Sequence, residues 1–274
     1  MKRTIPVSSL IVLLALCASG CATNKITGRS QASVVSDAEA ARQSAQAYSQ
    51  VLTEAKQGDA LDADPKTVAQ VRAIAKPIIA KARDLRPETR NWRWDVHVLQ
   101  SDEINAWCMA GGKIAVYTGL LDQIKPTDDE LAQVLGHEIS HALLSHQAEK
   151  LSRAMIQETG MSLIVAGAAI AGYTLGSYAK LANALASVGL QLPNSREAET
   201  EADNYGIELA AKAGYNPNAA VTLWQKMIAA TGDSGASDWL STHPGAETRI
   251  QNLQARAVRL MPVYEAARAS ATPR

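Results

Sequence analysis

Apolar residues recur every three or four positions over most of the chain, and this period predicts a mainly helical protein. Helices are expected from Ser36 to about Lys56, Pro65 to about Leu85, Leu131 to about Arg153, Ser195 to Ala213, from Asn216-Pro217 onward and from about Glu247. Capping signals support several of these boundaries. Asp64 before Pro65 suits a helix start, Thr127 and Glu130 have capping-box spacing, and Gly214 suits a helix end.

Two short segments alternate between apolar and polar residues instead, which is the period of a strand. They are Trp94–Leu99 and Lys113–Thr118, and Gly111-Gly112 directly precedes the second. Residues Ile104–Met109 between them can form a third strand. We therefore expect an α+β fold that is mainly helical, with one small β-sheet.

The first residues have the pattern of a processing signal rather than of a folded element. Lys2-Arg3 is followed by an apolar run from Ile5 to Leu16 and then by small residues. Ala18–Cys21 resembles a bacterial lipobox, so Cys21 is the expected lipidation site. An ordinary cleaved signal peptide is the alternative. Ala22 after the cysteine is typical of sorting to the periplasmic side of the outer membrane, where we expect a lipid-anchored protein.

Charge and cysteine content narrow the function classes further. The whole chain has 27 basic and 27 acidic residues, and without Lys2 and Arg3 the balance is 25 − 27 = −2. Such a balance gives no reason to expect nucleic acid as a partner. With Cys21 acylated and the signal removed, Cys108 is the remaining thiol, and we expect it to be a small core residue.

One uncharged segment, 159–179, has 21 residues and is long enough to span a bilayer. It is rich in glycine and alanine rather than leucine and isoleucine. A span here would also separate the candidate metal ligands before and after it. We expect a hairpin of small residues packed in or against the domain, with a membrane-dipping segment as the alternative.

A five-residue motif, His137-Glu138-Ile139-Ser140-His141, indicates the chemistry. On a helix the two histidines lie roughly 40° apart, so both imidazoles can bind one tetrahedral zinc ion at about 2.0–2.1 Å. Glu138 is roughly 100° from His137, beside the open position, where it can take a proton from water. The spacing therefore predicts a zinc hydrolase, provided that a third ligand exists elsewhere in the chain.

The segment Glu199–Asp203 supplies that candidate. Glu199 and Asp203 are four residues apart and share a helix face, while Glu201 points roughly 160–200° away from them. Glu199 can be the third ligand. Asp203 can accept the outer ring N–H of a ligating histidine, with His137 the expected partner.

The remaining histidines are weaker candidates. His146 lies roughly 180° round the predicted helix from His137, so we expect it to face away from the metal. His97 lies in a strand without an evident partner. His243 lies in a turn between helices, where it can stabilise an oxyanion or occupy the open position of the metal.

In combination these segments resemble the M48 peptidases, which belong to the gluzincin group of zinc enzymes. The resemblance rests on His137–His141, Ser195–Asp203, Asn105-Ala106 with Gly111–Leu121, and Thr242-His243-Pro244. Bacterial lipoprotein members also carry a tether similar to Cys21–Gln31. The family often has proline where this chain has Ala110, which leaves the shape of the rim beside Gly111-Gly112 open.

The resemblance implies a zincin-like domain with one zinc ion per chain. His137, His141 and Glu199 match the zinc ligands and Glu138 the catalytic base. Asp203 matches the acid that positions a zinc-binding histidine. His243 matches a histidine that acts as a fourth, inhibitory zinc ligand in some relatives. The strand near Asn105 is similar to the edge that holds an extended substrate.

The expected organisation is as follows: 1–20 signal peptide, 21–35 lipidated tether, 36–90 N-terminal helical arm, 91–262 metallopeptidase domain, and 263–274 C-terminal tail. The expected function is endoproteolysis of misfolded or unfolded proteins of the bacterial envelope. The alternative is a latched or inactive zinc lipoprotein that acts as a chaperone-like scaffold in outer-membrane protein assembly.

Overall fold

The computed structural model describes residues 21–157, 194–231, 243 and 246–270. The signal peptide predicted for 1–20 and the segment 159–179 lie outside these residues. Within the described ranges, no helix combines the length and the apolar character that crossing a membrane requires.

The described chain begins with a short hairpin that leads into two helices. Strands β1 (Cys21–Thr23) and β2 (Ser30–Ala32) pair antiparallel. They are followed by α1 (Asp37–Gln57) and α2 (Pro65–Leu85). Each helix has a side-chain N-cap at the residue before it, Ser36 and Asp64.

A three-stranded sheet follows, in the spatial order β3-β5-β4. Its strands are β3 (Asp95–Leu99), β4 (Ala106–Met109) and β5 (Lys113–Tyr117). β3 runs parallel to β5 and β4 runs antiparallel to it, so β4 is an edge strand of this sheet. All three predicted strands are present, each shortened by one or two residues.

The helices that carry the candidate site come next. They are α3 (Asp128–Leu143), α4 (residues 146–157), α5 (Arg196–Lys212), α6 (Ala219–Thr231) and α7 (Ala246–Ser270). The continuous helix predicted from Leu131 to Arg153 is wrong, because it breaks at Leu144-Ser145. Ser145 adopts a positive φ of 59°, which ends α3 and turns α4 in a new direction.

One apolar core joins the sheet, α2, α3 and α5 to α7. Helix α2, which the sequence assigns to an N-terminal arm, contributes Val71, Ile74 and Ile78 to this core. At the other end, Val263 and Tyr264 of α7 pack against it rather than forming a separate tail. Residues from both α2 and the end of α7 therefore contact the same apolar core as the sheet. Cys108 is buried in the same core, and burial raises the pKa of its thiol.

Candidate active site

Helix α3 presents the two histidines of the motif to the interior. A complete capping box fixes its start: Thr127 Oγ1 accepts from the Glu130 backbone N–H, and Glu130 Oε2 accepts from that of Thr127. His137 and His141 are both buried, on the side of α3 that faces α5. The local sequence therefore sets the ligand spacing, and burial of the whole helix fixes its orientation.

Two glycines let α5 approach α3 closely enough to share a metal. A Cβ atom built on Gly206 would lie 2.7 Å from the backbone nitrogen of His137. One built on Gly136 would lie 2.6 Å from the carbonyl oxygen of Gly206. A side chain at either position would therefore force the two backbones apart.

Four potential ligand atoms converge where these helices cross. His137 Nε2 lies 3.0 Å from His141 Nε2, 3.4 Å from Glu199 Oε2 and 3.2 Å from His243 Nδ1. Glu199 Oε1 lies 3.3 Å from His141 Nε2 and 2.9 Å from His243 Nδ1. All four residues are buried, and together they form a candidate metal-binding group of the described chain.

The donor set fits a zinc ion in both spacing and chemistry. Ligand bonds of 2.0–2.1 Å in a tetrahedron place donor atoms about 3.3–3.4 Å apart, close to the distances found here. Burial lowers the pKa of His141 well below its usual value and that of His243 to about 4, so both offer a neutral lone pair. Glu199 Oε2 is buried without a hydrogen bond of good geometry. Three imidazoles and one carboxylate form a donor set that suits zinc.

The pKa of His137 also indicates that the surroundings of this site favour a cation. Burial alone would lower its pKa, but hydrogen bonds to Asp203 and Glu199 outweigh burial and raise the pKa to about 9. The surrounding carboxylates therefore favour a positive charge at this histidine. A bound divalent cation would supply that charge without a proton.

Glu138 lies beside the four donor atoms rather than among them. Its Oε1 is buried without a hydrogen-bond partner, 4.0 Å from His137 Nε2 and 3.6 Å from His243 Nε2. Burial raises the pKa of this carboxyl to about 8. Its position and its protonation equilibrium both suit a group that exchanges protons near neutral pH.

The outer nitrogen of His137 is held by an acid that is itself held by an arginine. Asp203 Oδ1 lies 3.1 Å from His137 Nδ1, so the N–H at Nδ1 faces Asp203 and Nε2 faces the metal centre. Arg249 Nη2 donates to the same Asp203 oxygen at 2.5 Å, and Arg249 Nη1 lies 3.0 Å from Glu199 Oε2. The guanidinium also stacks over the Trp224 ring at 3.9 Å. Sequence reasoning missed Arg249, for which no local motif exists.

His146 is not turned away from the site, contrary to the prediction from a continuous helix. Because α3 ends at Leu143, the chain turns back and places His146 Nδ1 2.8 Å from His141 Nδ1. On its other side, His146 Nε2 lies 2.9 Å from Glu201 Oε2. Burial lowers the pKa of His146 below its usual value. His146 and Glu201 are thus the outer contacts of the second histidine of the motif.

The other predicted positions are spread around this centre. Asn105 precedes edge strand β4 and accepts a hydrogen bond from the Tyr117 N–H through its carbonyl oxygen. β4 packs against α3, and its outer edge pairs with no other strand among the described residues. His97 is not part of this centre, and its Nδ1 lies 2.7 Å from Asp62 Oδ2. Cys21 is exposed at the start of β1.

A helix that carries two histidines and a buried glutamate, with a further carboxylate donor on a second helix, is the arrangement of a zinc metallopeptidase. The comparison with known families agrees. The chain belongs to peptidase family M48, whose sequence pattern matches residues 65–257. The match begins at the first residue of α2, consistent with the place of that helix in the core.

Several named proteins are similar to this chain. The mitochondrial metalloendopeptidase OMA1 of Schizosaccharomyces pombe is 35% identical over 215 residues, which are 78% of this chain and 59% of that protein. The mitochondrial metalloendopeptidase OMA1 of Bos taurus is 33% identical over 237 residues, 83% of this chain and 44% of that protein. The metalloprotease LoiP of Escherichia coli is 32% identical over 162 residues, 58% of this chain and 61% of that protein. The chain thus spans between 44% and 61% of the length of these relatives.

Proposed function

We propose that this protein is a zinc-dependent endopeptidase that cleaves unfolded or misfolded proteins of the bacterial cell envelope. One observation carries the proposal: Glu138 holds a buried, unpaired carboxylate oxygen beside four converging metal-ligand atoms. The names of its relatives, metalloendopeptidase and metalloprotease, support the same reaction class.

The roles of the residues follow from their positions. His137, His141 and Glu199 would hold the zinc ion, which as a Lewis acid makes water nucleophilic near neutral pH and polarises a peptide carbonyl. Glu138 accepts the proton of the attacking water and passes it to the leaving amine. Asp203 keeps Nε2 of His137 directed at the centre. Residues at this level of burial also exclude bulk water, which strengthens each of these interactions.

The edge strand supports an extended peptide as substrate. β4 lies next to α3, and a peptide chain can pair with its outer edge by main-chain hydrogen bonds. Such binding depends little on the substrate's side chains but requires an extended segment, which folded proteins seldom expose. An unfolded protein satisfies this requirement along much of its length.

The envelope location is part of the proposal and rests on the sequence around Cys21. Acylation there would anchor the protein to the periplasmic face of the outer membrane, where misfolded envelope proteins are the available substrates. Labelling cells with an alkyne-bearing palmitate analogue tests this. We expect label on the parent and none on Cys21→Ser. Equal labelling of both proteins would remove the anchor from the proposal.

Two substitutions test the reaction itself on an unfolded substrate such as casein. Glu138→Gln keeps the shape of the side chain but removes the base, so we expect full zinc content and no cleavage. Glu199→Ala removes a ligand, so we expect loss of most of the metal. Equal cleavage by Glu138→Gln and the parent would refute the mechanism. Full zinc occupancy in Glu199→Ala would exclude that residue as a ligand.

His243 supports a second candidate, a latched state in which the protein binds but does not cleave. Its Nδ1 lies among the donor atoms, where it would complete the coordination and leave no position for water. A latched protein could act as a chaperone-like scaffold in outer-membrane assembly. His243→Ala distinguishes the two: higher casein cleavage at equal zinc content indicates a latch, whereas lower cleavage indicates that His243 assists the reaction.

A further inference from the structure

The N-terminal hairpin, residues 21–32, docks on the break between α3 and α4. Asn24 Nδ2 and Gln31 Nε2 both donate to the carbonyl oxygen of Leu144, at 2.8 Å and 3.0 Å. Leu144 is the C-cap residue of α3. Tyr205 of α5 donates to the Ile26 carbonyl oxygen at 3.1 Å. The hairpin therefore contacts both helices of the candidate site at the place where the chain turns towards His146.

From this hairpin, Arg29 reaches two carboxylates on two helices. Its Nε and Nη2 donate to the oxygens of Glu201 on α5 at 2.9 Å and 3.0 Å. Its Nη1 and Nη2 donate to the oxygens of Glu149 on α4 at 2.8 Å and 2.6 Å. The side chains of both acids are largely buried, with 15% and 5% of their surface exposed. Without a cation between them, two buried like charges would repel each other.

The contact with Glu201 bears on which ring nitrogen of His146, and in turn of His141, carries the hydrogen. A carboxylate only accepts, so His146 Nε2 carries the N–H that faces Glu201. His146 Nδ1 and His141 Nδ1 lie 2.8 Å apart, so one of them donates and the other accepts. Because Nε2 of His141 lies among the metal-ligand atoms, the hydrogen of His141 is on Nδ1, and His146 Nδ1 accepts it. The lone pair of His141 is thereby left on Nε2, which faces the other metal-ligand atoms.

We propose that Arg29 is a positioning residue for the metal site, acting through Glu201 and His146 on the tautomer and ring orientation of His141. This role rests on the proposed zinc site. It also goes beyond that site, because the hairpin that begins at the expected lipid anchor would then support a zinc ligand. The planar guanidinium matches both carboxylates at once, which a lysine ammonium cannot do.

Zinc affinity, measured by competition with a chromogenic chelator, tests the role without relying on proteolysis. We expect Arg29→Ala to bind zinc about 10–100-fold more weakly, the usual effect of losing an outer contact of a ligand. Arg29→Lys should recover part of this loss. The matched control is Arg153→Ala, since Arg153 pairs with Glu149 at 2.6 Å, whereas Glu201 pairs with Arg29 and His146. It should stay within about twofold of the parent. An equal loss in both variants would overturn the proposal, because it would indicate a general effect of charge.

A double-mutant cycle shows whether Arg29 acts through His146. If it does, adding Arg29→Ala to His146→Ala lowers zinc affinity no further; fully additive losses would refute the route. The visible spectrum of the cobalt-substituted proteins should shift in Arg29→Ala and stay unchanged in Arg153→Ala. Thermal melts of the metal-free variants show whether each one folds. A parent that binds no zinc would instead contradict the proposed function, so the two failures are distinguishable.

Discussion

At the scale of single residues, the two histidines of the motif are held in parallel ways. The outer nitrogen of His137 meets Asp203, and that of His141 meets His146 and then Glu201. An arginine from a distant part of the chain pairs with each acid, Arg249 with Asp203 and Arg29 with Glu201. Buried carboxylates of this kind need a cation, because an unpaired buried charge is strongly destabilising.

Of the two arginines, Arg249 lies closer to the metal-ligand atoms, and we expect its substitution to have the larger effect on stability. Arg249→Met keeps much of the apolar volume but removes the guanidinium that pairs with Asp203 and with the buried Glu199. We expect the free energy of unfolding to fall by about 3–5 kcal/mol and zinc affinity to fall with it. Denaturant titration of the metal-free protein measures the first and chelator competition the second.

Arg256→Met is the matched control for this substitution. Arg256 lies two turns further along α7 and pairs with Glu208, but both side chains are about 30% exposed. Its loss should cost at most about 1 kcal/mol, as for other exposed ion pairs. Similar losses for the two variants would mean that burial at Arg249 has no special effect.

At the scale of elements, the site depends on how closely α3 and α5 cross. Gly136 and Gly206 face each other at the crossing, where any side chain would overlap the opposite backbone. The crossing brings Glu199 and Asp203 to the histidines of α3. The break after Leu143 is the second decisive feature, because it gives His146 an orientation that a continuous helix excludes.

Gly206→Ala tests the crossing. Its added methyl group would meet backbone atoms of His137, which cannot rotate away as a side chain can. We expect a loss of about 1–3 kcal/mol in the free energy of unfolding and weaker zinc binding, since the ligands of the two helices separate. Gly58→Ala makes the same chemical change where the nearest atom is 3.7 Å away. It should alter stability by no more than about 0.5 kcal/mol. Unchanged zinc affinity in Gly206→Ala would show that the close crossing is not required.

At the scale of the whole molecule, the metal centre ties together segments that are far apart in the chain. Two of its donor residues lie on α3, one on α5 and one at position 243, before α7. Each of these helices also belongs to the common core. Zinc binding should therefore stabilise the entire domain and not only its site.

Removal of zinc by a chelator should lower the melting temperature of the parent protein, and adding zinc back should restore that temperature. At zinc concentrations 100 times the dissociation constant the linkage is worth about 2.7 kcal/mol, or roughly 5–10 °C for a domain of this size. Differential scanning calorimetry measures the shift. In Glu199→Ala the melting temperature should hardly respond to the chelator. A parent that melts at the same temperature with and without zinc would contradict this coupling.

The sequence by itself determined whatever depends on the fixed geometry of one helix. The spacing of His137 and His141, the place of Glu138 beside them, and the common face of Glu199 and Asp203 all follow from 3.6 residues per turn. Family membership follows from the same short segments.

Only the tertiary structure showed which residues hold these groups in place, because their partners are remote in sequence. Arg29 lies 172 residues from Glu201, Arg249 lies 46 from Asp203, and His146 reaches His141 only through the turn at Ser145. Periodicity describes one element at a time, whereas these contacts depend on how different elements pack.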